Sequence, residues 1–142
     1  METTPAVLRN REERRHRLDE EWLHLFSLQK FAAALRQEPD YERNGHNGLI
    51  LMKTEHMRVI LEVARAGRGI GEHTIHGPAL VQVIEGSLTF QAGDERRDAH
   101  AGEMVVIPHE RPRTIVASED AAFLWALALD NRDAAPAERR PE

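Results

Sequence analysis

Cysteine is absent from the 142 residues, which excludes disulfide staples, thiolate metal sites and a cysteine nucleophile. Serine occurs only at Ser27, Ser87 and Ser118, none of them in the Gly-x-Ser-x-Gly setting of a nucleophile elbow. A surplus of positive charge is also missing, since 19 Lys and Arg against 24 Asp and Glu give a net charge of -5. No general attraction to nucleic acid phosphates or to an anionic membrane surface follows from that balance. No apolar run approaches the roughly 20 residues that cross a bilayer, and no basic stretch leads into an uninterrupted apolar one near Met1. The expectation is a soluble, cytoplasmic protein whose partners are small molecules, with no nucleic acid and no membrane among them.

What the chain does have is a change of hydrophobic period. Arg9 to Arg17 is polar and mostly charged, and Glu12 and Glu13 inside this basic run mark a solvated helix face rather than a nucleic-acid arm. Apolar residues then recur at helical spacing, at Leu18, Trp22, Leu25, Phe26, Phe31, Ala32 and Leu35, and predict one amphipathic helix. Pro39 lacks an amide proton and pushes the residue before it out of helical geometry, so the helix should stop near Glu38. After the turn-rich Asn44-Gly45-His46-Asn47-Gly48 the period falls to two. Val59, Leu61 and Val63 alternate with Arg58, Ile60 and Glu62, a strand buried mainly on one face.

Further strands are expected over Gly48 to Thr54, Leu80 to Glu85, Ser87 to Ala92, Met104 to Ile107, Arg113 to Ala117 and Ala121 to Leu129. In the last of these Phe123, Trp125, Leu127 and Leu129 are large and Ala122, Ala126 and Ala128 small, so one face packs densely and the other lies close to something. Gly67-Arg68-Gly69-Ile70-Gly71 follows one strand and leads into another, which marks a turn rather than a phosphate-cradling loop. Many short strands joined by regular turns mean a sandwich or barrel. The length suits a single core. The expected organisation is an arm and helix over 1–46, a β-domain over 47–129 and a frayed tail over 130–142.

Two stretches carry more than periodicity. The segment Gly71-Glu72-His73-Thr74-Ile75-His76-Gly77-Pro78-Ala79, followed by Leu80 to Glu85 and Gly86, resembles the first motif of the cupin superfamily. Gly102-Glu103-Met104-Val105-Val106-Ile107-Pro108, continuing through His109-Glu110-Arg111-Pro112-Arg113, resembles the second. The stretch between them, from Ser87 to Ala101, carries a Gly93-Asp94 turn. The whole chain is similar to small bacterial single-domain cupins with a helix before the barrel. The fold class implied is all-β, an RmlC-like jelly-roll β-barrel with one N-terminal amphipathic α-helix.

Cupin enzymes hold one divalent metal with two histidines and a glutamate from the first motif and a histidine from the second. Imidazole and carboxylate ligands suit Fe, Mn, Ni or Zn, and open positions admit substrate or dioxygen. On this sequence the resemblance puts His73 at the first ligand position, Ile75 at the second, Ala79 at the glutamate and Arg113 at the last histidine. One ligand of four survives. His76 and His109 lie near the expected positions and with His73 would form a three-imidazole set, although 73 and 76 point to opposite faces of a regular strand. The other reading of these histidines is a place at the barrel mouth or surface. An inward Arg113 needs an acid: Glu72, Glu103 or Glu110, or a carboxylate or phosphate on a ligand. If the strand twists, it reaches solvent at the rim.

Three functions fit these residues. The first is a non-catalytic or metal-impaired barrel that binds a small ligand, with anions among the candidates, in a cavity lined by His73, Ile75, Ala79 and Arg113, with no cofactor. The alternative is a metal-dependent oxygenase or isomerase using His73, His76 and His109. The third is a structural or regulatory dimer without ligand. A homodimer is expected in each case, because cupins commonly pair through barrel strands and the helix with Trp22, Phe26 and Phe31 offers apolar surface. The competing reading of that helix is that it packs on its own barrel.

Overall fold

The computed structural model describes residues 23–70, 78–108 and 113–129. Among the described residues two helices come first, α1 (Leu28–Arg36) and α2 (Pro39–Asn44). Of the single helix expected from Leu18 to Leu35, the part from Leu28 is helical, whereas Leu23 to Ser27 are not and Ser27 is extended at the N-cap position, with φ -89° and ψ 100°. Packing supplies the reason. Leu23 and Leu25 are 89% and 98% exposed, so burial rewards no helical order there, whereas Phe31, Ala32 and Leu35 are buried. Leu18 and Trp22 lie outside the described residues, as does the stretch from Asp130 to Glu142. Pro39 follows the end of α1 and also opens α2, where its preset φ suits the first helical turn and its missing N–H leaves no bond unmade. Gly45 ends α2 in the left-handed region (φ 78°), its N–H donating to the Tyr41 carbonyl at 2.8 Å.

Nine strands follow among the described residues: β1 (His46–Lys53), β2 (Met57–Ala64), β3 (Gly69–Ile70), β4 (Ala79–Glu85), β5 (Ser87–Ala92), β6 (Glu95–His100), β7 (Met104–Ile107), β8 (Thr114–Ala117) and β9 (Ala121–Ala128). They form a five-stranded sheet, β1-β2-β9-β4-β7, and a four-stranded one, β3-β8-β5-β6. Every pairing is antiparallel. All seven strands expected from the sequence are present. Ala66 and Gly67 form a turn, and Gly69 and Ile70 are the two residues of β3. β6 carries no alternating apolar signal because only Ala99 of its residues is buried; its charges sit on a sheet edge, where they discourage pairing with another chain.

The closed barrel expected from the resemblance is, among the described residues, a pair of facing sheets with no hydrogen-bonded pairing between their edges. Closure needs ladders at both seams. On the four-stranded sheet the edges are β3, only two residues long, and the charged β6.

The five-stranded sheet is covered twice. Its outer face carries α1, where Phe31, Ala32 and Leu35 pack with Leu49, Leu61, Val63 and Ala122. Its inner face meets the second sheet through Val81, Val83, Phe123, Trp125 and Leu127, opposed by Leu88, Phe90 and Ile115. β2 is therefore not buried mainly on one face. Leu61 and Val63 lie under the helix, while Ile60 and Ala64 join the core between the sheets. The small residues of β9 have the same explanation: Ala122 lets α1 approach, and the large ones fill the space between the sheets. None of the described helices is long and apolar enough to cross a membrane.

Candidate functional site

Strand register decides which side chains enter the space between the sheets. On the four-stranded sheet Phe90 of β5 lies between Arg97 of β6 and Ile115 of β8, and Ala92 lies opposite Glu95. Directly opposed residues share a face, and the alternation along β8 puts Arg113 on the Ile115 side. On the other sheet Ala79 lies between Ile107 and Leu127, and Val81 between Val105 and Trp125. Where these rows meet the ends of the strands they leave a cleft of about 350 Å³, lined by Phe90, Glu95, Arg97, Val105, Ile107 and Arg113 among others.

Arg113 lines this cleft, and burial holds its guanidinium below the ordinary value; an arginine keeps its charge even so. Arg97 reaches Glu95 through Nη2 and Oε2 at 2.9 Å. Both are well exposed, so the pair contributes little stability and leaves the cation accessible. Ala79 is 5% exposed on the inner face. Ile107, its cross-strand partner, lines the cleft beside Arg113, so these two sequence-predicted positions share one end of the fold. His73, Ile75, His76 and His109 lie outside the described residues, as do Glu72 and Glu110. Glu103 precedes Met104, the far end of β7 from Ile107, where its Oε1 accepts from the His100 N–H at 2.9 Å.

The described residues do not fit the metal that the resemblance implies. A methyl at Ala79 has no lone pair, and the guanidinium at Arg113 is itself a cation. No three His, Asp or Glu side chains converge among the described residues.

A second polar group faces inward and has no counterpart among the residues singled out by sequence. Glu62 sits opposite Phe123 and Arg58 opposite Leu127, and both therefore point away from α1, as Ile60 does. Burial raises the Glu62 carboxyl to about 7. The nearby Trp125 indole opposes that rise, but by less. It does so by directing its N–H at the carboxyl, while Arg58 Nε is buried and makes no hydrogen bond among the described residues. Gly48, paired with Glu62, leaves room for the acid: a Cβ there would come within 3.1 Å of its Cγ. The available signal was parity, since Arg58 and Glu62 flank Ile60 in a strand whose other face is also apolar.

No protein-family model and no curated protein matches the chain. Solved structures do. A cupin superfamily protein from Desulfitobacterium hafniense aligns at TM-score 0.58 and 16% identity over 61% of this chain and 80% of its own. An RmlC-like cupin from Desulfovibrio desulfuricans aligns at 0.56 and 20% over 76% and 96%. Salicylate 1,2-dioxygenase from Pseudoaminobacter salicylatoxidans aligns at 0.55 and 19%, over 67% of this chain and 30% of that larger one. Identities this low speak for fold and not for activity. Together with the two facing antiparallel sheets and the strand order, they lead to one conclusion: the chain has the cupin fold.

Proposed function

We propose that this protein is a binding or sensory module that takes a small anionic molecule between its sheets. The observation that carries the reading is Arg113 facing a cleft of about 350 Å³ whose walls include Phe90, Val105 and Ile107. That size lies in the range of small-molecule sites, and a guanidinium among apolar walls holds a carboxylate or phosphate in a fixed orientation. Ala79 and Arg113, at positions where a cupin enzyme would place two metal ligands, favour binding over metal chemistry.

Thermal unfolding tests it. Phosphate or hexanoate at millimolar concentration raises the Tm of the wild type, because selective binding stabilises the native state, and Arg113→Ala removes the effect. No stabilisation by either anion overturns the reading. The alternative, a metal-dependent oxygenase or isomerase, draws on the likeness to a dioxygenase and on His73, His76 and His109. Stoichiometric Fe, Mn, Ni or Zn in untagged protein, lost on His73→Ala, would establish that alternative instead.

A homodimer is part of the proposal. β7 is an edge strand with Met104 and Val106 52% and 58% exposed, an apolar edge suited to a second copy of the same strand. Light scattering is expected to give twice the chain mass for the wild type and one chain mass for Val106→Lys.

A further inference from the structure

We infer that the cleft is specific for a short dicarboxylic acid, with Arg97 as the residue that takes the second carboxylate. The inference rests on the reading that the cleft holds a small anion at Arg113, and it names the class of that anion.

Arg97 and Arg113 line the same cleft from opposite sides of β5. Arg97 of β6 lies directly across from Phe90 and so shares its inner face, while Arg113 is two residues before Ile115, the partner of Phe90 on β8. Two strand spacings of about 4.8 Å and an offset of one row, about 7 Å, put the two Cα atoms roughly 12 Å apart. Each side chain covers part of that separation, which leaves a gap for a chain of a few carbons. What borders the gap is apolar. Phe90 lies between the two arginines on one sheet, and Val105 and Ile107 stand on the inner face of the other. Two carboxylates joined by hydrocarbon match such a lining, since a guanidinium takes a carboxylate through two parallel hydrogen bonds and the apolar walls ask for no polar group between them.

Arg97 is available for that role. Its partners among the described residues, Glu95 Oε2 and the Arg96 carbonyl, each at 2.9 Å, both belong to β6 itself. The Arg97 and Glu95 side chains are 64% and 63% exposed, so their pair stabilises the fold little and Glu95 returns to water at small cost when another carboxylate replaces it. A ligand already held at Arg113 presents its second carboxylate to Arg97 at an effective concentration far above that in solution. Protection of the sheet edge does not by itself account for an inward arginine. Arg96, across from Gln91, supplies a charge to the same edge from the opposite face, where it pairs with Asp98 at 3.3 Å.

Isothermal titration calorimetry at low ionic strength compares adipate with hexanoate, which share a six-carbon chain and differ in the second carboxylate. Adipate is expected to bind about tenfold tighter. Arg97→Ala brings adipate down to the affinity of hexanoate, and Arg113→Ala weakens both. Glu95→Gln, which removes the acid that competes for Arg97, tightens adipate by more than hexanoate. Arg96→Ala removes the same charge from the outer face and keeps the preference, which separates a contact at Arg97 from a general attraction of the second negative charge. The three β6 side chains are exposed, and their variants are expected to unfold near the wild-type temperature. Equal affinities for the two acids, or an equal loss of preference in Arg96→Ala and Arg97→Ala, overturn the dicarboxylate class while the anion reading stands. Absence of binding by adipate, hexanoate and phosphate alike overturns both.

Discussion

Asn47 of β1 donates its side-chain amide to the Leu35 carbonyl at 3.0 Å and to Glu38 Oε1 at 2.8 Å, while its own Oδ1 accepts from the Gly48 N–H at 2.9 Å. One side chain, 5% exposed, satisfies a carbonyl in the last turn of α1 and ties the helix to the sheet it covers. Asn47→Ala removes both donors and leaves the Leu35 carbonyl in a buried setting. A loss of about 1–3 kcal/mol in urea unfolding is expected. Asn47→Asp should cost at least as much, since it sets a carboxylate against two acceptors.

The burial of Glu62 makes stability depend on pH. Its carboxyl is raised from 4.5 to about 7 in the folded protein, so between those values the folded state holds more protons than the unfolded one. Stability from this group is complete below about 4.5, falls as pH rises towards about 7, and levels off above it. The span corresponds to roughly 3 kcal/mol as an upper bound. The difference in unfolding free energy between wild type and Glu62→Gln, measured across that window, should shift in favour of the variant as pH rises. A flat difference would place the carboxyl in water.

Gly86 turns β4 into β5 with φ 76°, and a Cβ added there would overlap the Asp120 backbone carbonyl. Gly86→Ala therefore combines left-handed strain with a clash against main chain, and a loss of about 2 kcal/mol or more is expected in thermal or urea unfolding. Gly93 also has positive φ but meets nothing within 4 Å, so Gly93→Ala pays for the conformation alone and costs less.

The helix boundary is checked by a pair of truncations. Leu35 is fully buried, and Leu35→Ala is expected to cost about 2–5 kcal/mol. Leu25, at 98% exposed, lies before α1 begins, and Leu25→Ala should change stability by less than about 0.5 kcal/mol. Comparable losses at both positions would extend the packed helix back through Leu25.

The alternating residues of β1, β2, β4, β5, β7, β8 and β9 are legible in the sequence, because side-chain direction reverses at each residue of a strand and burial on one face leaves its period there. The turn at Gly86 and the helix stop before Pro39 were legible for a related reason: glycine and proline act through their own backbones. The motif likeness carried the fold family and placed Ala79 and Arg113 at one end. Period says nothing of what covers a face. That β2 is buried on both sides, that Arg58 and Glu62 look inward beside Trp125, and that the charged Glu95 to His100 segment completes a sheet depend on which strands lie across the interior. Those neighbours are distant in sequence, and pairing and packing between distant segments are set only when the whole chain has folded.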